Sequence, residues 1–136
     1  LVDRSVDAFR ARFESEPYAR KMGMRLIEVD PGHSIVEMVL DEEDQNIFSM
    51  AHGGAIFSLI DEAFEAAANS HGPVAVALNV GVHYHNPARP GDALRAEAVE
   101  LSRSRRISIY SIEVRNGKGD LIATCQAMAY IKPDKS

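Results

Sequence analysis

Cysteine is nearly absent: Cys125 is the one thiol in 136 residues, so no internal disulfide can form, which fits a reducing compartment. Basic residues are in the minority, 15 Lys and Arg against 20 Asp and Glu, for a net charge of −5. No basic face dominates, which excludes nucleic acid as the main partner and leaves room only for a local patch that grips a phosphorylated ligand. No apolar run approaches the ~18 residues of a membrane span; Val74-Ala75-Val76-Ala77-Leu78 is among the longest. The N-terminal stretch is charged and lacks a signal-peptide core. The expectation is a soluble, cytoplasmic protein without membrane contact. What is present agrees: 46% hydrophobic and 26% charged residues exclude disordered and fibrous classes. The length predicts one domain over 1–136, large enough to bury a core without disulfides or metals.

Within that domain, residues 1–23 read as an N-terminal helical segment and 24–132 as the core. Val6, Phe9 and Phe13 give an amphipathic helix over 2–13, and 15–23 a second helical turn or loop. Residues 24–30 and 33–40 are extended runs around Pro31-Gly32, a plausible hairpin, with Val36, Met38 and Leu40 on one face. The acidic run Asp41-Glu42-Glu43-Asp44 reads as a solvated loop. The strongest helix covers 54–69, where Ile56, Leu59, Ile60, Ala63 and Ala67 form one apolar stripe, ended by Asn69-Ser70-His71-Gly72-Pro73. Strands follow over 74–84, 92–101, 106–115 and 120–132. Their buried faces are expected at Leu94, Ala96 and Ala98, at Ile107 and Ile109, and at Ala123, Cys125, Ala127 and Ala129. One long helix against about six strands is an α+β layout. The run 74–82 is small and apolar on both faces, so a second subunit is expected to cover what one helix cannot, and a homodimer is predicted.

Chemistry concentrates in 52–64. Gly53 and Gly54 open the long helix, where free N–H groups and the helix dipole favour negative charge. An N–H there can polarise a carbonyl and stabilise the oxyanion formed on attack; the alternative is simply a flexible helix start. Asp61, two turns on, lies between Phe57 at i−4 and Phe64 at i+3. Partial desolvation by those rings suits a base or nucleophile, against the alternative of a solvent-facing acid paired with an arginine. Glu62 and Glu65 read as its solvated counterparts on the polar face.

His52-Gly53-Gly54, with Asp61 seven residues after the second glycine, resembles the hotdog-fold acyl-CoA thioesterases, most of all their phenylacetate-degradation (PaaI-type) branch. The resemblance runs over 17–131 and includes Asn46, the Asn69-Ser70-His71-Gly72 helix exit and the segment 87–91. It implies a hotdog fold, a long central helix wrapped by a six-stranded antiparallel sheet. It also implies homodimers, often paired as homotetramers, with active sites at the subunit interface. By position, Asp61 is implied as the catalytic carboxylate, nucleophile or water-activating base, and the Gly53 N–H as the group at the thioester carbonyl. His52 and Asn46 would orient the thioester or the water, with Gly54 beside the substrate. The implied reaction is hydrolysis of acyl-CoA, an aromatic acyl group being one candidate, to free acid and CoA, with no metal or redox cofactor. Relatives often carry Ser or Thr in the third strand; this chain has Asn79, whose amide can hydrogen-bond a water, and Gly81 two residues on.

Other constellations carry less. His83 and His85 share one face of a strand, half of a metal site without a third ligand. Cys125, among small apolar neighbours, reads as a buried structural thiol. Arg103-Ser104-Arg105-Arg106 is the one cationic cluster, either a solvated turn or a grip on the phosphates of CoA, with Arg89 a weaker candidate. Two rival functions stay open: a hotdog enoyl-CoA or acyl-carrier-protein hydratase using His52 and Asp61 as an acid/base pair, and a non-catalytic acyl-CoA-binding protein.

Overall fold

The computed structural model describes residues 6–133. In chain order the elements are α1 (Val6–Glu14), α2 (Pro17–Lys21), β1 (Arg25–Asp30), β2 (His33–Val39), a 3-10 turn (Glu42–Asp44), α3 (Gly53–Asn69), β3 (Ala75–Tyr84), β4 (Ala93–Arg103), β5 (Ile107–Asn116) and β6 (Leu121–Ile131). Residues 2–5 of the expected first helix lie outside the described residues. The six strands form one antiparallel sheet in the order β1-β2-β4-β5-β6-β3, and α3 packs on one face of it. This is the hotdog arrangement.

Local chemistry explains the elements. The β1–β2 hairpin turns at Pro31-Gly32, where proline presets its own φ and Gly32 takes φ 79°, a conformation that L side chains resist. A Cβ on Gly32 would also press within 3.1 Å of Glu100. The acidic run is ordered at its start: the Asp41 side chain accepts from the Glu43 N–H at 2.8 Å, and Asp44 returns the bond to the Asp41 N–H at 3.0 Å. The whole predicted stripe of α3 is buried, and facing strands present Ala96, Ala98, Ala123, Ala127 and Ala129, small residues that let the helix approach the sheet. Polar ties fix the helix as well. Ser34 Oγ donates to the Ala63 carbonyl at 2.6 Å, and Ser70 Oγ accepts from the Gly32 N–H at 2.8 Å.

Two expectations are corrected. On β5 the face toward α3 is Ser108, Tyr110, Ile112 and Val114, whereas Ile107 and Ile109 lie half-buried on the other side. Tyr110 decides this, packing on Phe64 of α3 with ring centroids 5.6 Å apart and the rings tilted by 58°. Glu62 is not solvated: it is 3% exposed, on a second stripe with Ala55, Leu59 and Ala66 that is also buried. The run 74–82, for which a second subunit is expected to supply cover, lies in β3 from Ala75 onward. It is a sheet edge, with β6 as its one strand partner among the described residues, and Val76 and Leu78 are exposed in the single chain.

Candidate active site

The start of α3 is held by its own approach loop. The His52 N–H donates to the Asp44 carbonyl at 2.7 Å and the Ala51 N–H to the Ala88 carbonyl at 2.8 Å, which fixes where the helix begins. Just upstream, Asn46 Oδ1 accepts from the N–H groups of Phe48 (2.8 Å) and Met50 (3.2 Å), and Ser49 takes φ 62° in the resulting tight loop. The Asn46 carbonyl oxygen is therefore occupied by the backbone, and its amide N–H₂ is the part available to a ligand.

His52 is the N-cap. Its Nδ1 accepts from the Gly54 N–H at 2.8 Å, so Nδ1 carries no proton and, in the neutral ring, Nε2 does. A Cβ on Gly54 would sit 3.0 Å from that Nδ1, so glycine is what lets the ring close over the helix end. With the Gly54 N–H occupied, the Gly53 N–H is the donor left without a protein partner among the described residues, at the positive end of a 17-residue helix. From the other side, Tyr84 at the end of β3 donates its hydroxyl to the Gly53 carbonyl at 2.9 Å. The Gly53–Gly54 peptide is thus pinned at both its carbonyl and its N–H.

Asp61 lies eight residues along the same helix, about 12 Å from Gly53 at 1.5 Å per residue. Its carboxyl is pushed above the ordinary aspartate value, first by burial and then by the negative charge of Glu16. Beneath the helix, Cys125 is buried as expected, and burial pushes its thiol up to about 11, which suppresses the thiolate.

The structure thus brings together Asn46, His52, Gly53 and Gly54 and leaves Asp61 two turns away. Asn79 is exposed on edge strand β3, just past a bulge between Ala77 and Asn79. Arg89 is exposed in the β3–β4 connection, next to the Ala88 carbonyl that holds Ala51. Arg103, Arg105 and Arg106 border an open groove of about 480 Å³ with Pro73, Ile131 and Lys132. Ala75 pairs with Ile131 and Tyr84 with Ala123, so that groove lies beside the start of β3 and Gly53 beside its end. Ten residues of strand place the two about 30 Å apart in one chain. Arg106 is partly engaged, donating to the Arg105 carbonyl at 3.1 Å and the Ile131 carbonyl at 3.4 Å. His85 Nε2 meets Thr124 Oγ1 at 2.7 Å, and among the described residues neither it nor His83 joins a three-ligand metal grouping.

Sequence reasoning missed Tyr84, Lys132 and the placement of Glu16. Tyr84 carried a faint signal as the aromatic between two histidines at a strand end. Glu62 carried a better one, at i+7 from Ala55 and i−4 from Ala66, the spacing of a second buried stripe.

Comparison with known proteins identifies the family. Residues 48–123 match the family model described as the thioesterase superfamily. A protein of Archaeoglobus fulgidus is 36% identical over 96% of this chain and 82% of its own length. The acyl-coenzyme A thioesterase PaaI of Escherichia coli is 33% identical over 83% of this chain and 81% of its own. The solved structure of the E. coli PaaI protein superposes with a TM-score of 0.92 at 28% identity, covering 97% of this chain and 96% of that one. Among the described residues no helix is long and apolar enough to cross a membrane. The chain belongs to the thioesterase superfamily, as a PaaI-type hotdog thioesterase.

Proposed function

We propose that this thioester hydrolase acts on acyl-CoA esters, with the Gly53 N–H holding the thioester carbonyl and Asp61 supplying or activating the attacking oxygen. The observation that carries the reading is the Gly53 N–H at the positive end of α3, left without a protein partner among the described residues while His52 takes the Gly54 N–H. Such a donor acts on charge that grows at the carbonyl oxygen as the tetrahedral intermediate forms. Asp61 either takes a proton from the water that attacks the carbonyl carbon, or attacks directly and is released by water. In both cases the C–S bond breaks, and CoA leaves as the thiol with the acid as co-product. The Nε2–H of His52 and the amide N–H₂ of Asn46 are donors placed to orient the ester or the water. The occupied Nδ1 leaves neutral His52 no basic nitrogen, which favours hydrolysis over the hydratase alternative.

A carbonyl carbon cannot lie within reaction distance, roughly 3 Å, of both groups when one helix holds them about 12 Å apart. The reading therefore requires two chains, each giving Gly53 to one site and Asp61 to the other. The exposed edge of β3 supports the pairing, since a ten-residue strand with free N–H and C=O groups is a template for a second copy. A two-fold axis makes that pair antiparallel, so the start of one β3 adjoins the end of the other. The 103–106 loop of one chain then approaches Gly53 of its partner, where its cations meet the phosphates of CoA. Arg89 and Asn79, both exposed, are further candidates to contact the substrate. Homodimers are the functional unit, whether or not they pair further into tetramers. The chemistry asks for no cofactor.

The test is free-thiol release from short, long and aromatic acyl-CoA esters by wild type and Asp61→Asn. Turnover is expected to fall roughly 10²–10⁴-fold in the variant, the scale of a positioned acid–base group, with the fold retained. Wild-type turnover by Asp61→Asn, or acyl-CoA binding without thiol release in either protein, sinks the assignment.

A further inference from the structure

Away from the Gly53 end of α3, three carboxylates meet where the N-terminal helices touch it. Glu16, the residue before α2, comes to Glu62 and Glu65 of α3, and each offers an oxygen within 4.8 Å of the others. Glu62 is 3% exposed, and its Oε2 is fully buried without a hydrogen-bond donor. Among the described residues no lysine, arginine or histidine pairs with any of the three. A buried carboxylate oxygen with no donor is costly, and two further acids beside it add repulsion.

We propose that Glu16, Glu62 and Glu65 hold a hard divalent cation, Mg²⁺ or Ca²⁺, that braces the N-terminal helices against α3. The donor set is all oxygen, as such ions require. Oxygens bound at about 2.3–2.6 Å to one Ca²⁺ can stand up to about twice that apart, which matches the spacing. Glu65 is exposed and Glu16 half-buried, so water completes the coordination from the open side while Glu62 approaches from the core. The neighbouring bond of the Tyr18 hydroxyl to Ser58 Oγ, 2.7 Å, already joins α2 to α3. A cation would turn the adjacent repulsive contact into a second tie. The other acidic grouping, Glu28, Asp30 and His33, lacks a buried orphan oxygen, and His33 is paired with Glu97 at 2.7 Å, so it serves as the control.

The test is calorimetric titration of the EDTA-stripped full chain with MgCl₂ and, separately, CaCl₂, with thermal melting beside it. Saturable binding of one ion per chain, at a Kd under about 1 mM, with a raised Tm is expected for at least one cation. Glu62→Gln and the surface variant Glu65→Gln should each weaken binding at least about tenfold, whereas Asp30→Asn should not. Glu65→Gln keeps the test sound if the buried variant folds poorly. Absence of saturable binding for both cations overturns the proposal, as does binding that both glutamine variants retain or that Asp30→Asn removes. A Tm raised by Glu62→Gln in a chain that ignores both cations also overturns it, because the three carboxyls then hold protons instead.

Discussion

Deleting one N–H without touching any side chain is possible at Gly53, because the backbone there already suits proline. Gly53 is the first residue of α3, where a proline ring keeps helical φ and its missing N–H breaks no intrahelical bond. His52 before it has φ −65° and ψ 135°, the extended geometry that a following proline demands. The added Cβ would meet Tyr84 at 3.4 Å, an ordinary contact. Gly53→Pro should therefore fold, keep its Tm within a few degrees, and lose about 10²–10³-fold in kcat, the cost of removing one oxyanion donor. The same variant reports how the site is built. Paired with Asp61→Asn, it gives a mixed dimer with one site doubly damaged and one intact, if each site takes Gly53 from one chain and Asp61 from the other. Random pairing makes about half the dimers mixed, so an equal mixture should show about a quarter of wild-type turnover, and mixed dimers isolated by two tags about half. Were both groups to act within one chain, no combination would exceed about one percent of wild type. Thiol release by co-expressed, doubly tagged protein decides it. Activity no greater than the sum of the two parents refutes the shared site, and wild-type kcat in Gly53→Pro refutes the role of the amide.

The pH profile of kcat/KM gives a second check, in EDTA so that only protons compete for the carboxylates. In the proposed role Asp61 acts as its anion, so the acid limb should lie above the ordinary aspartate value, and Glu16→Gln, which removes the second cause of the rise, should move the limb to lower pH. A limb that stays or moves up contradicts the placement of Glu16. Reversing or neutralising Arg103 and Arg105 should raise KM for CoA esters, with little change for a truncated pantetheine thioester. Equal effects on the two substrates remove the phosphate role.

Much of the fold was legible because its signals are local. The stripe from Ile56 to Ala67 needed only 3.6-residue periodicity, and Pro31-Gly32 announced its own turn. What failed depended on contacts distant in sequence. On β5, apolar residues occupy both faces, Ile107 and Ile109 on one and Tyr110, Ile112 and Val114 on the other, so alternation alone could not choose. The choice follows from Phe64, which gives Tyr110 a ring to pack against, and from a bulge in β4 between Glu100 and Ser102 opposite it. Glu62 was misread because α3 is buried on two stripes, and Glu16, which faces it, lies 46 residues earlier in the chain. The helix-start half of the site was readable as a motif, since capping is a matter of neighbouring residues. Tyr84 was not, since its value arises only when the end of β3 comes beside the start of α3.

The placement of both proposed reactive groups on one helix has a geometric consequence. A helix is stiff over two turns, so no local adjustment closes the gap between Gly53 and Asp61. An antiparallel pair of α3 helices does close it: residue 53 of one faces residue 61 of the other when the two-fold axis passes near the midpoint, residue 57. That position is Phe57, a large apolar side chain left 38% exposed in the single chain, where a symmetric contact would cover it. One axis then creates two identical sites from two copies of the same segment. The spacing of eight residues thereby becomes a specification of the dimer as much as of the chemistry. It follows that a substitution at Phe57 which weakens pairing should lower specific activity as the protein is diluted, although Phe57 itself takes no part in the chemistry. Loss of turnover that is independent of protein concentration would place the fault inside the chain and not between chains.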